Sequence, residues 1–155
     1  MLEILFYAFL LGISPFGEAR AGIPYAILND VHILWAFGIG LVSNVLIFPL
    51  FMWLIDNFNK TLWPYRFYKK SVINLSRRAK KGVGKSMQKY SFWGLMIFVM
   101  IPLPGTGAYM GTLAAYVMKV NRKKAFVAIS LGVLISCILM SVASYFGNIG
   151  LDLLF

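Results

Sequence analysis

Two uncharged apolar runs, Ile33 to Ile55 and Ala125 to Leu151, limit what this chain can fold into more than anything else in it. They are 23 and 27 residues long, and about 20 apolar residues suffice to cross the hydrocarbon core of a bilayer. Two such runs in 155 residues leave too little for a separate soluble domain. The chain therefore reads as one membrane domain over 1–155, and a composition 60% hydrophobic and 13% charged agrees. Met1–Ile13 lacks a basic n-region and a small-residue cleavage motif, so it reads as mature structure rather than a removed signal.

The two runs belong to a larger pattern that recurs at an offset of 89 residues. Pro15, Ala19, Gly22, Ala26, Val31, Ala36 and Phe37 return as Pro104, Ala108, Gly111, Ala115, Val120, Ala125 and Phe126. Each copy runs through a short apolar segment, a break rich in Pro and Gly, a second short segment, and one long run. The first break holds Pro15, Gly17, Glu18, Arg20, Gly22 and Pro24; the second holds Pro102, Pro104, Gly105, Thr106, Gly107 and Tyr109, with no charge. Interrupted apolar segments at corresponding places in two halves point to a transporter binding site.

Segment length then sets the topology. Ile4–Ile13 and Phe92–Ile101 have ten residues each, about half the hydrocarbon thickness at roughly 1.5 Å per residue. Each is expected to be one arm of a re-entrant hairpin whose tip lies at mid-membrane. Irregular backbone is tolerated there only inside protein or beside a water-filled cavity. The expected fold is an all-α membrane protein, an inverted repeat in which each half is a re-entrant helical hairpin plus one transmembrane helix. Repeat 1 covers 1–55, a basic amphipathic cytoplasmic linker 56–89, and repeat 2 covers 90–155.

Charge fixes the orientation. Net charge is +10, and ten of 15 Lys and Arg lie between Lys60 and Lys89; four more are Lys119, Arg122, Lys123 and Lys124. With one crossing per half, both clusters fall on one face, which the positive-inside bias makes cytoplasmic. Both termini then lie outside, in a multi-pass protein of the plasma or inner membrane. In the linker, Trp63, Tyr65, Phe67 and Tyr68 precede Lys69 and Lys70, and Val72, Ile73 and Leu75 precede Arg77, Arg78, Lys80 and Lys81. That texture suits a helix lying on an anionic lipid surface. Membrane lipids are the partners this implies. Nucleic acid is not, because the flanking spans already account for the basic residues.

Glu18 and Arg20 are the sharpest candidates for chemistry. A charge near the bilayer centre costs about 2.5–3.5 kcal/mol on insertion scales, so such residues face a cavity or a partner. Residues two apart on a helix do not face each other, which argues against a mere mutual staple, although an extended tip would let them meet. Arg20 presents a planar fork suited to carboxylate or phosphate oxygens, and a partly desolvated Glu18 is a candidate for proton exchange. The second tip offers Thr106 and Tyr109 hydroxyls and the backbone N–H groups of a helix start, which can hold anions. Its glycines suit close packing of the opposing tips equally well. Cys137 is alone, His32 has no second ligand nearby, and Ser43, Asn44, Ser130, Ser136, Ser141 and Ser144 default to packing. No metal and no cofactor is expected.

The stretch from Glu18 to Pro24, followed by Pro102 to Ala108, resembles the putative small multidrug export protein family, itself similar to the DedA/VTT (SNARE-associated) superfamily. The resemblance covers nearly the whole chain. It implies a transporter rather than an enzyme, with lipid translocation suggested for the wider superfamily and the hairpin Glu and Arg falling on Glu18 and Arg20. Taken together, the expected function is proton-coupled transport of an amphiphile, either a lipid-linked phosphate or a drug-like organic ion. The alternative is a non-transporting assembly or lipid-organising protein. A chain this short leaves room for a homodimer as the working unit.

Overall fold

A computed structural model of the chain describes residues 2–62, 85–102 and 107–154, with side chains over 2–58, 91–102 and 107–148. The described residues form six α-helices and no strand: α1 Leu2–Ile13, α2 Glu18–Leu28, α3 Ile33–Leu62, α4 Lys85–Met100, α5 Ala108–Val117 and α6 Arg122–Leu154. Two of them are long and apolar enough to cross a membrane, α3 over Ile33–Phe58 and α6 over Arg122–Asn148. The short arms are α1, 12 residues, and α4, 16 residues. The arm expected as Phe92–Ile101 thus starts earlier, and both ends of the expected linker are helical. Its interior, with the aromatic and basic texture, lies outside the described residues, as do Pro104, Gly105 and Thr106.

The packing of one half is repeated in the other. Helices α1, α2 and α3 touch one another, as do α4, α5 and α6; α2 packs on α6, α5 packs on α3, and the two long helices touch each other. Small residues make these approaches possible. A Cβ at Gly22 of α2 would meet the Ala8 carbonyl oxygen of α1 at 2.6 Å, and one at Gly132 of α6 would meet the Met96 carbonyl oxygen of α4 at 2.7 Å. Backbone-to-backbone contact of this kind is how helices associate where lipid supplies no hydrophobic drive.

The turns into the long helices match bond for bond. Val31 N–H donates to the Ala26 carbonyl and Asp30 N–H to Ile27; 89 residues on, Val120 N–H donates to Ala115 and Lys119 N–H to Tyr116. Asp30 and Lys119 both take left-handed backbone, φ 60° and 55°, which closes a helix end by bonding its last carbonyls. Beyond each turn, Ala36 N–H donates to His32 and Ala125 N–H to Asn121.

Helices α3 and α6 run in opposite directions. Asp56, late in α3, forms a two-bond ion pair with Arg122 at the start of α6, both N–O distances 2.9 Å, and the Phe48 and Phe126 rings lie 5.5 Å apart. The fold thus brings the beginning of the expected linker and the 119–124 loop to one end of the molecule.

Candidate functional site

The first break is a turn over 14–17. Ser14 N–H donates to the Leu10 carbonyl at 3.0 Å, and the Gly17 and Glu18 N–H groups donate to the Ser14 carbonyl at 3.1 and 3.0 Å. Pro15 supplies the fixed φ such a turn uses, and a Cβ on Gly17 would meet the Leu11 carbonyl oxygen at 2.6 Å. Phe16 projects from the turn fully exposed. Gly22 and Pro24 lie beyond the break, inside α2. There Gly22 serves close packing, and Pro24 has no N–H to offer the Arg20 carbonyl one turn back. At the second break, Pro102 follows the end of α4 and Gly107 precedes α5.

Glu18 opens α2 with left-handed backbone, φ 50°, a conformation that costs a non-glycine residue about 1–2 kcal/mol. Residues two apart do meet here, as an irregular tip allows, because the left-handed turn takes Glu18 off the helical path. Arg20 Nη2 lies 3.8 Å from Glu18 Oε2, and the two side chains are 18% and 10% exposed. The carboxylate also reaches into the other half: Tyr109 N–H donates to Glu18 Oε1 at 3.4 Å. A Cβ on Gly107 would overlap that carboxylate. The carboxyl group therefore sits on the first turn of α5, whose leading N–H groups have no acceptor within the helix.

Tyr109 ties the tips together a second time. Its hydroxyl donates to the Ile13 carbonyl at the end of α1, and its ring meets Phe51 edge-on, centroids 5.1 Å apart. Asn44 anchors the first tip to α3, with Nδ2 donating to the Gly40 and Gly12 carbonyls at 3.0 and 3.4 Å.

Between the tips is a cavity of about 10 Å³, room for a single water. Glu18, Ala19, Arg20 and Asn44 line it from one half, and Gly107, Ala108, Val133, Ser136 and Cys137 are among its lining from the other. Three of these pairings, Glu18 with Gly107, Ala19 with Ala108 and Asn44 with Val133, are 89 residues apart. Asn44 lies at the middle of the α3 span, and Val133, Ser136 and Cys137 at the middle of the α6 span. Sequence reasoning assigned Asn44, Ser136 and Cys137 to packing; the offset that pairs Asn44 with Val133 was the available signal. An apolar groove of about 450 Å³, bordered by Trp93, Gly94, Ile97, Phe98, Ala114 and Met118, opens between α4 and α5. Among the described residues no three His, Cys, Asp or Glu gather as a metal site would require.

Fold and site together define a helical membrane protein with a largely enclosed ion pair where two helix breaks meet. The chain belongs to the family described as putative small multi-drug export protein, whose model matches residues 18–139. The match begins at Glu18, just after the first break, and takes in the second. The family carries the name of an export protein and not of an enzyme. No curated protein and no solved structure matches the chain, and the likeness to the DedA/VTT superfamily finds no support in these comparisons.

Proposed function

We propose that the chain is a membrane carrier of amphiphilic molecules, built as an inverted repeat of two re-entrant hairpins, with Glu18 and Arg20 acting on the cargo where the tips meet. The observation that carries this is the pairing of a buried Glu18 with a partly buried Arg20 beside a cavity at the middle of both candidate spans. Ionisable groups at that depth are costly and mark pathways for substrates or protons. The paired turns at Asp30 and Lys119 and the matching helix contacts support the repeat. The short α1 arm, about 18 Å at 1.5 Å per residue, and the exposed Phe16 at its turn support a tip in hydrocarbon. The Asp56–Arg122 pair supports one face for both basic clusters, cytoplasmic by the positive-inside bias. Arg20 holds an anionic headgroup, Glu18 exchanges the coupling proton, and the groove between α4 and α5 offers apolar surface to a tail.

One observation favours the alternative of an assembly or lipid-organising protein. The Glu18–Tyr109 and Tyr109–Ile13 bonds are also what a permanent clasp would make. Uptake of candidate amphiphiles into proteoliposomes under an imposed pH gradient separates the two. Glu18→Gln should abolish the response to the gradient at nearly constant shape. Arg20→Lys should cut transport, because it keeps the charge but loses the planar fork. Normal transport by both variants would make the tip a clasp.

A further inference from the structure

A carboxyl group already sits where the two tips meet, and it is the protein's own. The first turn of α5 has no side-chain cap from its own N-terminal flank, where Gly107 stands. The Glu18 carboxylate, 91 residues earlier in the chain, fills that place: it accepts from Tyr109 N–H at 3.4 Å and faces Arg20 Nη2 at 3.8 Å. Its side chain is 10% exposed, and its φ of 50° is one that only surrounding contacts sustain in a glutamate. Gly107 leaves the space the carboxylate occupies. A guanidinium fork and a helix start turned on one point recognise a carboxylate or a phosphate.

We propose that Glu18 is a self-ligand: the seat formed by Arg20 and the first turn of α5 takes the carboxylate or phosphate headgroup of the cargo, and Glu18 occupies that seat until the cargo displaces it. Calling the ligand cargo rests on the carrier function proposed above; the competition for the seat does not. The wild-type chain then binds an oxyanion only in the fraction of molecules whose seat Glu18 has left, so its apparent affinity is lowered by that fraction. Displacement also loosens the tip around Cys137, which lines the same cavity.

The test uses the full chain in nanodiscs and three probes of equal short chain length, an alkyl phosphate, an alkyl carboxylate and an alkyl trimethylammonium. Binding is measured by calorimetry, with Arg20→Gln as the blank. At least one oxyanion should bind Glu18→Gln about tenfold or more tightly than wild type, the phosphate and carboxylate arms telling which headgroup the seat prefers, and the ammonium should show no such gain. In the wild-type protein the same oxyanion should speed modification of Cys137 by a maleimide, a readout that does not depend on the Glu18 variant folding. Equal oxyanion affinity in wild type and Glu18→Gln would overturn the self-ligand while leaving the carrier intact, as would a Cys137 rate that saturating oxyanion does not change. Tight oxyanion binding without transport in liposomes would remove the carrier and leave the self-ligand standing.

Discussion

Glu18 and Gly107 occupy the same position in the two halves, 89 residues apart, and they meet. One supplies a carboxylate and the other the absence of a side chain that lets it in. Gly107→Ala should therefore expel the carboxylate and cost about 1–3 kcal/mol, the range of an overpacked interior, read from unfolding in detergent. Gly22→Ala should cost a similar amount, because its Cβ would press on the backbone of α1. Gly38→Ala is the control: nothing lies within 4 Å of the added carbon, and alanine's helix propensity should leave stability equal or up to about 1 kcal/mol higher. At this scale the sequence exposed Glu18 and Arg20, since charges stand out in an apolar chain. It could not show that they pair, because the pairing depends on a backbone torsion that no residue identity announces.

At the scale of elements, the left-handed residues at the two turns into the long helices are Asp30 and Lys119, chemically opposite residues in the same conformation. Asp tolerates left-handed backbone better than Lys, which has no short polar group to bond locally. Lys119→Gly should thus stabilise the protein by about 1 kcal/mol and Asp30→Gly by less, again from unfolding in detergent. The recurrence of these turns was legible from the 89-residue offset of Val31 and Val120, and the long helices from their uncharged runs. The start of α4 was not, since the apolar pattern begins only after the helix has already formed at Lys85. Nor was the placing of Gly22 and Pro24: residues that commonly break helices sit inside α2, Gly22 where it lets α2 pack tightly on α1 and Pro24 past the first turn.

At the scale of the molecule, topology is open to direct labelling. On a Cys137→Ser background, an impermeant reagent applied outside should modify a cysteine at Asp152 and not one at Lys80; the reverse pattern would invert the protein in the membrane. The Asp56–Arg122 pair joins the ends of α3 and α6, yet Arg122 is 63% exposed, and exposed pairs contribute about 0.2–1 kcal/mol. Asp56→Asn should accordingly leave thermal unfolding nearly unchanged, and the reversal Asp56→Arg with Arg122→Asp should restore whatever small loss the single change causes. No periodicity in the sequence connects these two residues, 66 positions apart, because contacts between halves leave no trace in either half alone.

The Glu18–Tyr109 bond has a consequence for how the protein is made. Ribosomes deliver about 5–20 residues per second, so the 91 residues between the partners separate their synthesis by roughly 5–20 s. On the re-entrant arrangement proposed above, for that interval the nascent first hairpin enters the bilayer with an acid and no helix start to receive it, at a cost of about 2.5–3.5 kcal/mol on insertion scales. Arg20, made two residues later, is the only companion at hand from the same hairpin. On that arrangement Arg20 is expected to serve as an escort during membrane insertion, before any task in the finished protein. Removing it should strand nascent chains at the translocon, and the loss would register as low yield even where the completed fold could tolerate the change.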